Sequence, residues 1–96
     1  MVIELLTFTV SPVDRAQWLE VEERTWSRFL ESQDGFVRKE MWVSAADESQ
    51  VHAVIWWASL AQWKAIGPDA VRAVDDRMGE WFREPTVRTF DVVREC

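Results

Sequence analysis

The chain has 96 residues, of which 48% are apolar and 29% charged, and its 17 acidic and 11 basic side chains give a net charge of −6. A chain of this length has room for one hydrophobic core, so we predict a single domain over residues 1–96. The negative charge repels phosphate backbones and anionic lipid surfaces, which argues against nucleic acid and against a membrane as partners.

Cysteine usage and the N-terminal segment indicate the compartment. Cys96 is the only cysteine, so neither an intrachain disulfide nor a cysteine-based metal cluster can form. Residues 1–5 lack a basic start and include Glu4, and no later apolar run reaches membrane-spanning length. We therefore expect a cytoplasmic protein with no membrane segment and no metal site.

The aromatic content is high for a domain of this size. Seven tryptophans and five phenylalanines have to be covered. A chain this short buries only about 60 to 65% of the surface that its unfolded form exposes. We therefore expect a ligand or a partner to cover some of these rings.

A strand and a long helix are predicted at the start of the chain. Residues 2–10 are almost all β-branched, aromatic or leucine, which is typical of a strand. Ser11 is the expected N-cap of the helix that follows, with Pro12 in the first helical position and Asp14 in a capping-box role. The helix is expected to run to about Ser32.

A β-hairpin is predicted in the middle of the chain. Gly35 closes the first helix, because glycine adopts the left-handed conformation of such turns at little cost. Strands are then expected at 36–44 and 51–58, joined by a polar turn at 45–49.

Two helices and a last strand complete the predicted fold. Ser59 is the expected cap of a short helix that Gly67 and Pro68 end. Pro68 then opens another helix, whose apolar stripe has helical spacing and consists of Val71, Val74, Met78 and Phe82. The final strand is expected at 86–93.

This order of elements predicts the fold class α+β, a ferredoxin-like βαββααβ domain whose helices cover one face of a four-stranded antiparallel sheet. Both faces of the third strand are largely apolar; one carries Val51, Ala53, Ile55 and Trp57, and the other His52, Val54 and Trp56. The helices are too few to cover two faces, so a monomer would leave Val54 and Trp56 in water. We therefore predict a homodimer in which the outer faces of two sheets pack together.

Three stretches of the sequence carry a family resemblance through their order and spacing. They are VIELLTF at 2–8, Gly35-Phe36, and IWWAS at 55–59 followed by QWKAI at 62–66. On these stretches the chain resembles the dimeric α+β barrel superfamily, specifically the small antibiotic biosynthesis monooxygenase-type (ABM-type) domains and a related uncharacterised bacterial family. The resemblance covers nearly the whole chain and implies a dimeric α+β barrel. It fixes fold better than function, because the superfamily holds oxygenases that use no metal or flavin, haem-degrading enzymes and proteins of no known activity.

The haem-degrading relatives carry an iron-ligating histidine on the last helix, whereas the matching residues 71–76 contain none. Those relatives also place an asparagine on the first strand, near the position of Leu6 or Thr7. Their short-helix tryptophan does have a counterpart, Trp63. We therefore expect no haem degradation, no haem held by an axial histidine, and no other cofactor.

Two adjacent carboxylates on the first helix, Glu22 and Glu23, are candidate catalytic residues. At about 100° per residue both fall within an arc of aromatic side chains formed by Trp18, Trp26 and Phe29. A glutamate in an apolar setting has a raised pKa and can serve as a general base near neutral pH. The alternative is that both reach water at the edges of the arc, or pair with Arg15 or Arg24.

A candidate substrate-binding pocket lies between the sheet and the helices, where we expect Trp26, Trp57, Trp63 and Met78. The indole N–H of Trp57 or Trp63 could donate a hydrogen bond to a quinone or phenol oxygen. Trp56 is expected at the dimer interface. Ordinary packing in the core or at an interface is the alternative for each tryptophan taken singly.

Other polar residues have less specific signals. His52 is the only histidine and is a candidate base. The alternative for a lone strand histidine is a partly exposed position at an edge or interface. Asp75 and Asp76 are expected on a solvated helix face, close to Arg72 and Arg77.

Two functions remain open from the sequence. In the first, the domain binds a small planar hydrophobic molecule and acts as a cofactor-independent monooxygenase on a phenolic or anthrone-type substrate, with Glu22 or Glu23 removing a proton. In the second, it binds an aromatic molecule without turnover or has a structural role as a dimer. No Gly-rich phosphate loop and no nucleophile-elbow motif is present, which argues against nucleotide-binding and hydrolase functions.

Overall fold

The structure is a computed structural model that describes residues 1–96. Its strands are β1 Val2–Thr9, β2 Phe36–Val43, β3 Gln50–Trp57 and β4 Thr86–Asp91. Its α-helices are α1 Arg15–Glu22, α2 Arg28–Glu31, α3 Leu60–Lys64 and α4 Pro68–Met78. A π-helical turn at Glu23–Ser27 joins α1 to α2, and a 3₁₀ turn at Gly79–Trp81 follows α4. None of these helices combines the length and the apolar character that a membrane span requires.

The four strands form one antiparallel sheet in the order β2-β3-β1-β4. This is the ferredoxin-like order, and the predicted α+β fold class is confirmed. β1 and β3 are central, with Glu4 opposite Ile55 and Leu6 opposite Ala53. Because side chains alternate between the two faces of a strand, these four residues share one face, which we call the inner face.

The helices pack on the inner face and bury two apolar clusters. One cluster combines Phe8 and Ala53 from the sheet with Trp18 from α1 and Met78 from α4. The other combines Trp57 with neighbouring residues of β1, β3 and α2, namely Val2, Ile55 and Leu30. These clusters hold the helices against the sheet but leave space between them, where the cavity described below lies.

The first helix starts three residues later than the sequence predicts, so the expected capping role of Ser11 is wrong. Pro12–Asp14 forms a turn instead, in which the N–H of Asp14 donates to the carbonyl of Ser11 over 2.9 Å. The helix begins at Arg15, and the Asp14 side chain makes no capping hydrogen bond. The Ser11 carbonyl therefore accepts a backbone N–H near the helix start, a role that a capping side chain would otherwise have.

The predicted continuous helix to Ser32 is interrupted by the π-helical turn. In an α-helix, residues five apart point about 140° away from each other, since each residue turns about 100°. A π turn is closed by i→i+5 hydrogen bonds, which brings residues five apart to the same side. Glu22 and Ser27 are five apart and contact each other over 3.4 Å, so this turn brings together two polar side chains that a regular helix would separate.

The other predicted helix signals have mixed outcomes. The Ser59 hydroxyl accepts the N–H of Gln62, as a helix N-cap should, and Pro68 occupies the first turn of α4. The apolar stripe of α4 ends at Met78, because Gly79 has a positive φ of 59° and stops the helix. Phe82 therefore lies beyond the helix, still packed against the first apolar cluster.

Gly35 has a φ of +84°, which confirms the predicted left-handed turn before β2. A Cβ at this position would also lie 2.5 Å from the side-chain Cδ of Gln62. We expect Gly35→Ala to lower the free energy of unfolding by about 1 to 2 kcal/mol through the backbone strain alone. Urea unfolding checks this. Because the Gln62 Cβ would also lie 2.6 Å from the added Cβ, the clash is separated from the strain by comparing Gly35→Ala combined with Gln62→Gly against Gln62→Gly alone. A single variant as stable as the wild type would contradict the expectation.

The opposite, outer face of the sheet has no helix over it. Val54 is nevertheless only 2% exposed, because Leu5 and Glu40 flank it on the neighbouring strands. The expectation that a monomer would leave Val54 in water is therefore wrong. Trp56 is half-buried, with the Arg38 guanidinium 4.0 Å from the centre of its ring.

Candidate functional site

A cavity of about 600 Å³ lies between the inner face of the sheet and the helices. Its floor includes Glu4 and Leu6 of β1 and Ile55 of β3, and its walls come from α1 to α4 and the segment after α4. Thirteen of its 22 lining residues are hydrophobic, so the cavity is mainly apolar with a few polar groups. This is the usual composition of a site for a small organic molecule.

All four predicted binding residues line this one cavity: Trp26, Trp57, Trp63 and Met78. They come from four different elements, namely the π turn, β3, α3 and α4. Trp57 is fully buried and Trp63 partly exposed. Three of the seven tryptophans therefore meet at one concave surface.

Glu22 also lines the cavity, and its side chain is only 4% exposed. Its Oε2 accepts a hydrogen bond from the Lys39 Nζ, and its Oε1 lies 3.4 Å from the Ser27 hydroxyl. The Lys39 ammonium also donates to Ser27 over 2.8 Å. Both oxygens of Glu22 are therefore engaged by a buried polar cluster of Glu22, Ser27 and Lys39, which we call the ion-pair cluster.

Glu23 is not brought into the cavity. Its side chain is 54% exposed and pairs with the Arg28 guanidinium over 2.8 Å. The pairing partner is thus a different arginine from the two considered from the sequence, and Arg15 instead donates to the carbonyl of Glu48. Of the two adjacent glutamates, only Glu22 reaches the site.

Glu4 is a carboxylate of the cavity that the sequence reasoning missed. The Trp57 indole N–H donates to its Oε1 over 3.0 Å. Burial raises the pKa of Glu4 above its ordinary value, and the Trp57 hydrogen bond and the charges of Lys64 and Lys39 offset part of that rise. The available signal was its position as the one acidic residue in the apolar first strand.

The Trp57 contact corrects one expectation. Its N–H was predicted to be available to a quinone or phenol oxygen, but the Glu4 carboxylate takes it. Among the three cavity tryptophans, Trp26 also donates its indole N–H to a carboxylate, that of Asp75. Trp63 is the one whose N–H is not taken by a cavity carboxylate.

Asp75 is a third carboxylate of the cavity, and its predicted place on a solvated face is wrong. The Trp26 indole N–H donates to its Oδ1 over 2.9 Å. Burial raises the pKa of Asp75, the Trp26 hydrogen bond lowers it, and the nearby Glu84 and Asp76 raise it further. Arg72 pairs with Asp69 rather than Asp75, over 3.7 Å.

The raised pKa of Glu4 has a consequence for stability. The folded state holds the Glu4 proton more tightly than the unfolded chain does, so this stabilisation is complete below the ordinary value of 4.5 and is lost as the pH rises through the folded-state pKa. Glu4→Gln keeps a neutral side chain at every pH. We expect its stability relative to the wild type to increase from pH 4 to pH 7.

Urea unfolding at several pH values measures this difference. Glu23→Gln is a suitable control, because Glu23 is half-exposed and lies outside the cavity. A stability difference between Glu4→Gln and the wild type that is the same at pH 4 and pH 7 would contradict the expectation.

His52 lies on the outer face of the sheet, away from the cavity. It pairs with Thr7 across the β1–β3 ladder, and its Nδ1 lies 2.9 Å from the Thr7 hydroxyl. The cavity therefore has no imidazole, since His52 is the only histidine. An iron held through histidine would have no ligand from this chain inside the cavity.

Comparisons with known proteins identify solved structures that share this architecture. No protein-family model and no curated protein sequence matches the chain. Solved structures do match, including SnoaB, a cofactor-independent oxygenase from Streptomyces nogalater, at 17% identity with a TM-score of 0.74 over 98% of this chain and 94% of the other. The monooxygenase from the gene ActVA-Orf6 of Streptomyces coelicolor, in complex with nanaomycin D, has 13% identity and a TM-score of 0.80 over 99% of this chain and 89% of the other.

A third match, from Caulobacter crescentus and provisionally assigned as an antibiotic biosynthesis monooxygenase, has 20% identity and a TM-score of 0.75 over 97% of this chain and 90% of the other. The chain has the fold of the ABM-type domains. At these identities the likeness shows the ABM-type fold alone, and the activity of this chain has to be argued from its own cavity.

Proposed function

We propose that the cavity binds a small planar hydrophobic molecule of phenolic or anthrone type and that the protein oxidises it with molecular oxygen without a cofactor. The observation that carries this proposal is the convergence of three tryptophans and several carboxylates on one mainly apolar cavity. Flat indole rings suit a flat ligand, and a low-polarity cavity strengthens the interactions of the few charged groups within it. The ABM-type fold of an oxygenase and of a ligand-bound monooxygenase supports the proposal.

The chemistry needs little from the protein beyond a base and exclusion of water. A carboxylate takes a proton from the substrate, and the resulting carbanion gives electrons to oxygen. One oxygen atom forms the new carbonyl group and the other leaves as water, so that a CH₂ group and O₂ become C=O and H₂O. Three cationic side chains line the cavity and are available to balance the anionic charge that develops, namely Lys64, Arg72 and Arg83.

Glu22, which the sequence predicted as a base and which lines the cavity, is the proposed base for this C–H proton. Oxygen uptake with a panel of anthrones and quinols tests the function. We expect uptake by the wild type and a large loss in the variant that combines Glu22→Gln with Glu23→Gln. Glu23→Gln alone is the matched control and should keep the wild-type rate, because its side chain lies outside the cavity. Binding of these compounds with no uptake by the wild type would contradict the oxygenase function.

The alternative function is a non-catalytic aromatic-binding protein. It is favoured by the engagement of both Glu22 oxygens with Lys39 and Ser27, which suits a fixed structural group better than a free base. Saturable binding of planar aromatics without oxygen uptake would support this alternative.

We also propose that the protein is a homodimer joined through the outer face of the sheet. This face is uncovered by helices and presents large apolar side chains, with Trp42 46% and Phe90 40% exposed. Exposed aromatic patches of this kind commonly mark contact surfaces. Val54 is already buried within one chain and so gives no support for the dimer. The support comes from the exposed side chains of Trp42 and Phe90.

Sedimentation velocity at micromolar concentration tests the dimer. We expect a dimer for the wild type and a monomer for Phe90→Glu, which places a charge in the apolar contact. Leu60→Glu is the control, since Leu60 is 50% exposed on α3 rather than on the sheet. A folded wild-type monomer would contradict the proposal.

A further inference from the structure

Four carboxylates line the cavity; Glu84 is exposed, and the other three, Glu4, Glu22 and Asp75, differ in how much of their hydrogen-bonding capacity the protein already uses. Both oxygens of Glu22 have partners in the ion-pair cluster. Glu4 accepts one side-chain hydrogen bond, from Trp57 to Oε1, and no protein donor reaches Oε2. A carboxylate has about four acceptor positions on its two oxygens, so Glu4 keeps an oxygen for a ligand.

Glu4 is also held in a rigid position. It lies on the central strand β1, between Ile55 of β3 and Thr89 of β4. Its hydrogen-bond donor, Trp57, is fully buried, so the indole ring fixes the direction of the carboxylate. A group on a strand or helix with buried supporting residues holds a reacting geometry better than a group on a loop.

Asp75 is the nearest rival, and its surroundings differ. It also accepts one tryptophan N–H and keeps one oxygen, but it lies on a helix beside the acidic Asp76 and Glu84. Glu4 instead feels the positive charges of Lys64 and Lys39. An anionic ligand oxygen is therefore less strongly repelled near Glu4 than near Asp75.

We propose that Glu4, oriented by Trp57, is the group that binds the acidic hydroxyl of the aromatic ligand and accepts its proton through Oε2. This deepens and rests on the proposed function, and it narrows the ligand class to hydroxylated planar aromatics. In the transfer step the ligand O–H bond breaks, an Oε2–H bond forms, and the electron pair stays on the ligand as an aromatic oxyanion. The raised pKa of Glu4 suits this role, because a carboxylate that holds its proton more tightly is a stronger base.

Comparing the affinity for an aromatic hydroxyl compound with the affinity for its methyl ether distinguishes this role of Glu4 from general apolar binding. Calorimetric titration with 1-naphthol and with 1-methoxynaphthalene gives the preference for the hydroxyl as a ratio of affinities. We expect a preference of about tenfold or more in the wild type, since a hydrogen bond to a charged group is strong in a cavity of low polarity. Glu4→Gln should abolish it. The glutamine oxygen would accept the Trp57 N–H, which leaves its NH₂ group, a donor, facing the ligand hydroxyl.

Two further variants make the outcome decisive. Glu23→Gln, outside the cavity, should keep the preference. Asp75→Asn tests the rival carboxylate and should keep it too. A preference that survives Glu4→Gln, or that Asp75→Asn abolishes instead, would overturn the role of Glu4 while leaving the proposed function standing. If the wild type binds neither compound, both the role of Glu4 and the proposed function are overturned.

A measurement on the wild type alone guards against misfolding of Glu4→Gln. Acidification protonates Glu4 and removes its charge, so the affinity for 1-naphthol should fall towards that for 1-methoxynaphthalene as the pH is lowered. The affinity for the ether should stay constant over the same range. A hydroxyl preference that does not change with pH while the protein remains folded by circular dichroism would overturn the proposal.

Discussion

Lys39→Met should lower the free energy of unfolding by about 3 to 5 kcal/mol, because it removes one partner of a buried ion pair. The Lys39 and Glu22 side chains are only 6% and 4% exposed, and they pair with each other across the junction of β2 and α1. Without Lys39, Glu22 would be left as a buried charge with no cationic partner, with the Ser27 hydroxyl as its remaining side-chain contact. Denaturant unfolding at neutral pH measures the loss.

The expected loss of stability in Lys39→Met comes from the unpaired charge of Glu22 and not from the change in side-chain volume. Combining it with Glu22→Met should therefore recover most of the lost stability, since apolar replacement of both partners is often neutral. Arg28→Met breaks the exposed pair with Glu23 and should cost no more than about 1 kcal/mol. A single Lys39→Met variant that loses less than the Arg28→Met control would contradict the assignment of a buried ion pair.

Trp57→Ala should cost about 3 to 5 kcal/mol of unfolding free energy, because it empties a fully buried position at the centre of the second apolar cluster. The ring packs edge-on against Phe36, with centroids 6.1 Å apart. The change also removes the hydrogen-bond donor to Glu4. Thermal and denaturant unfolding should both show the loss.

Two other replacements separate the contributions at this position. Trp57→Phe keeps an aromatic ring and removes the N–H, so it should be less destabilising than alanine. Trp42→Ala on the outer face should cost much less than Trp57→Ala, since Trp42 is 46% exposed. Equal losses for Trp42→Ala and Trp57→Ala would contradict the assignment of Trp57 to the core.

The strands and the fold class could be predicted because their signals are local and periodic. The alternation along residues 51–57 assigned Trp57 and Ile55 to one face and His52 to the other, and the strand registers agree. The turn at Gly35 was predictable for a similar reason, since a left-handed turn selects glycine. The resemblance to ABM-type domains added the expected sheet with helices on one face.

The hydrogen-bond partners of the cavity carboxylates could not be predicted, because these contacts join residues far apart in sequence. Glu4 and Trp57 are 53 positions apart, and Trp26 and Asp75 are 49 apart. Helical spacing placed Glu22 and Glu23 together, but the fold separates them by burial. The π turn adds to this difference, since it brings Ser27 over Glu22 where a regular helix would turn it away.

Nuclear magnetic resonance of the indole N–H groups during a titration with 1-naphthol tests the cavity as the binding site most directly. The seven tryptophans give separate indole signals, which single Trp→Phe variants assign. We predict that the signals of Trp26, Trp57 and Trp63 shift and saturate together, while the outer-face signals of Trp42 and Trp56 stay in place. Saturable shifts confined to Trp42 and Trp56, or no shift at any tryptophan, would show that the cavity does not bind the ligand.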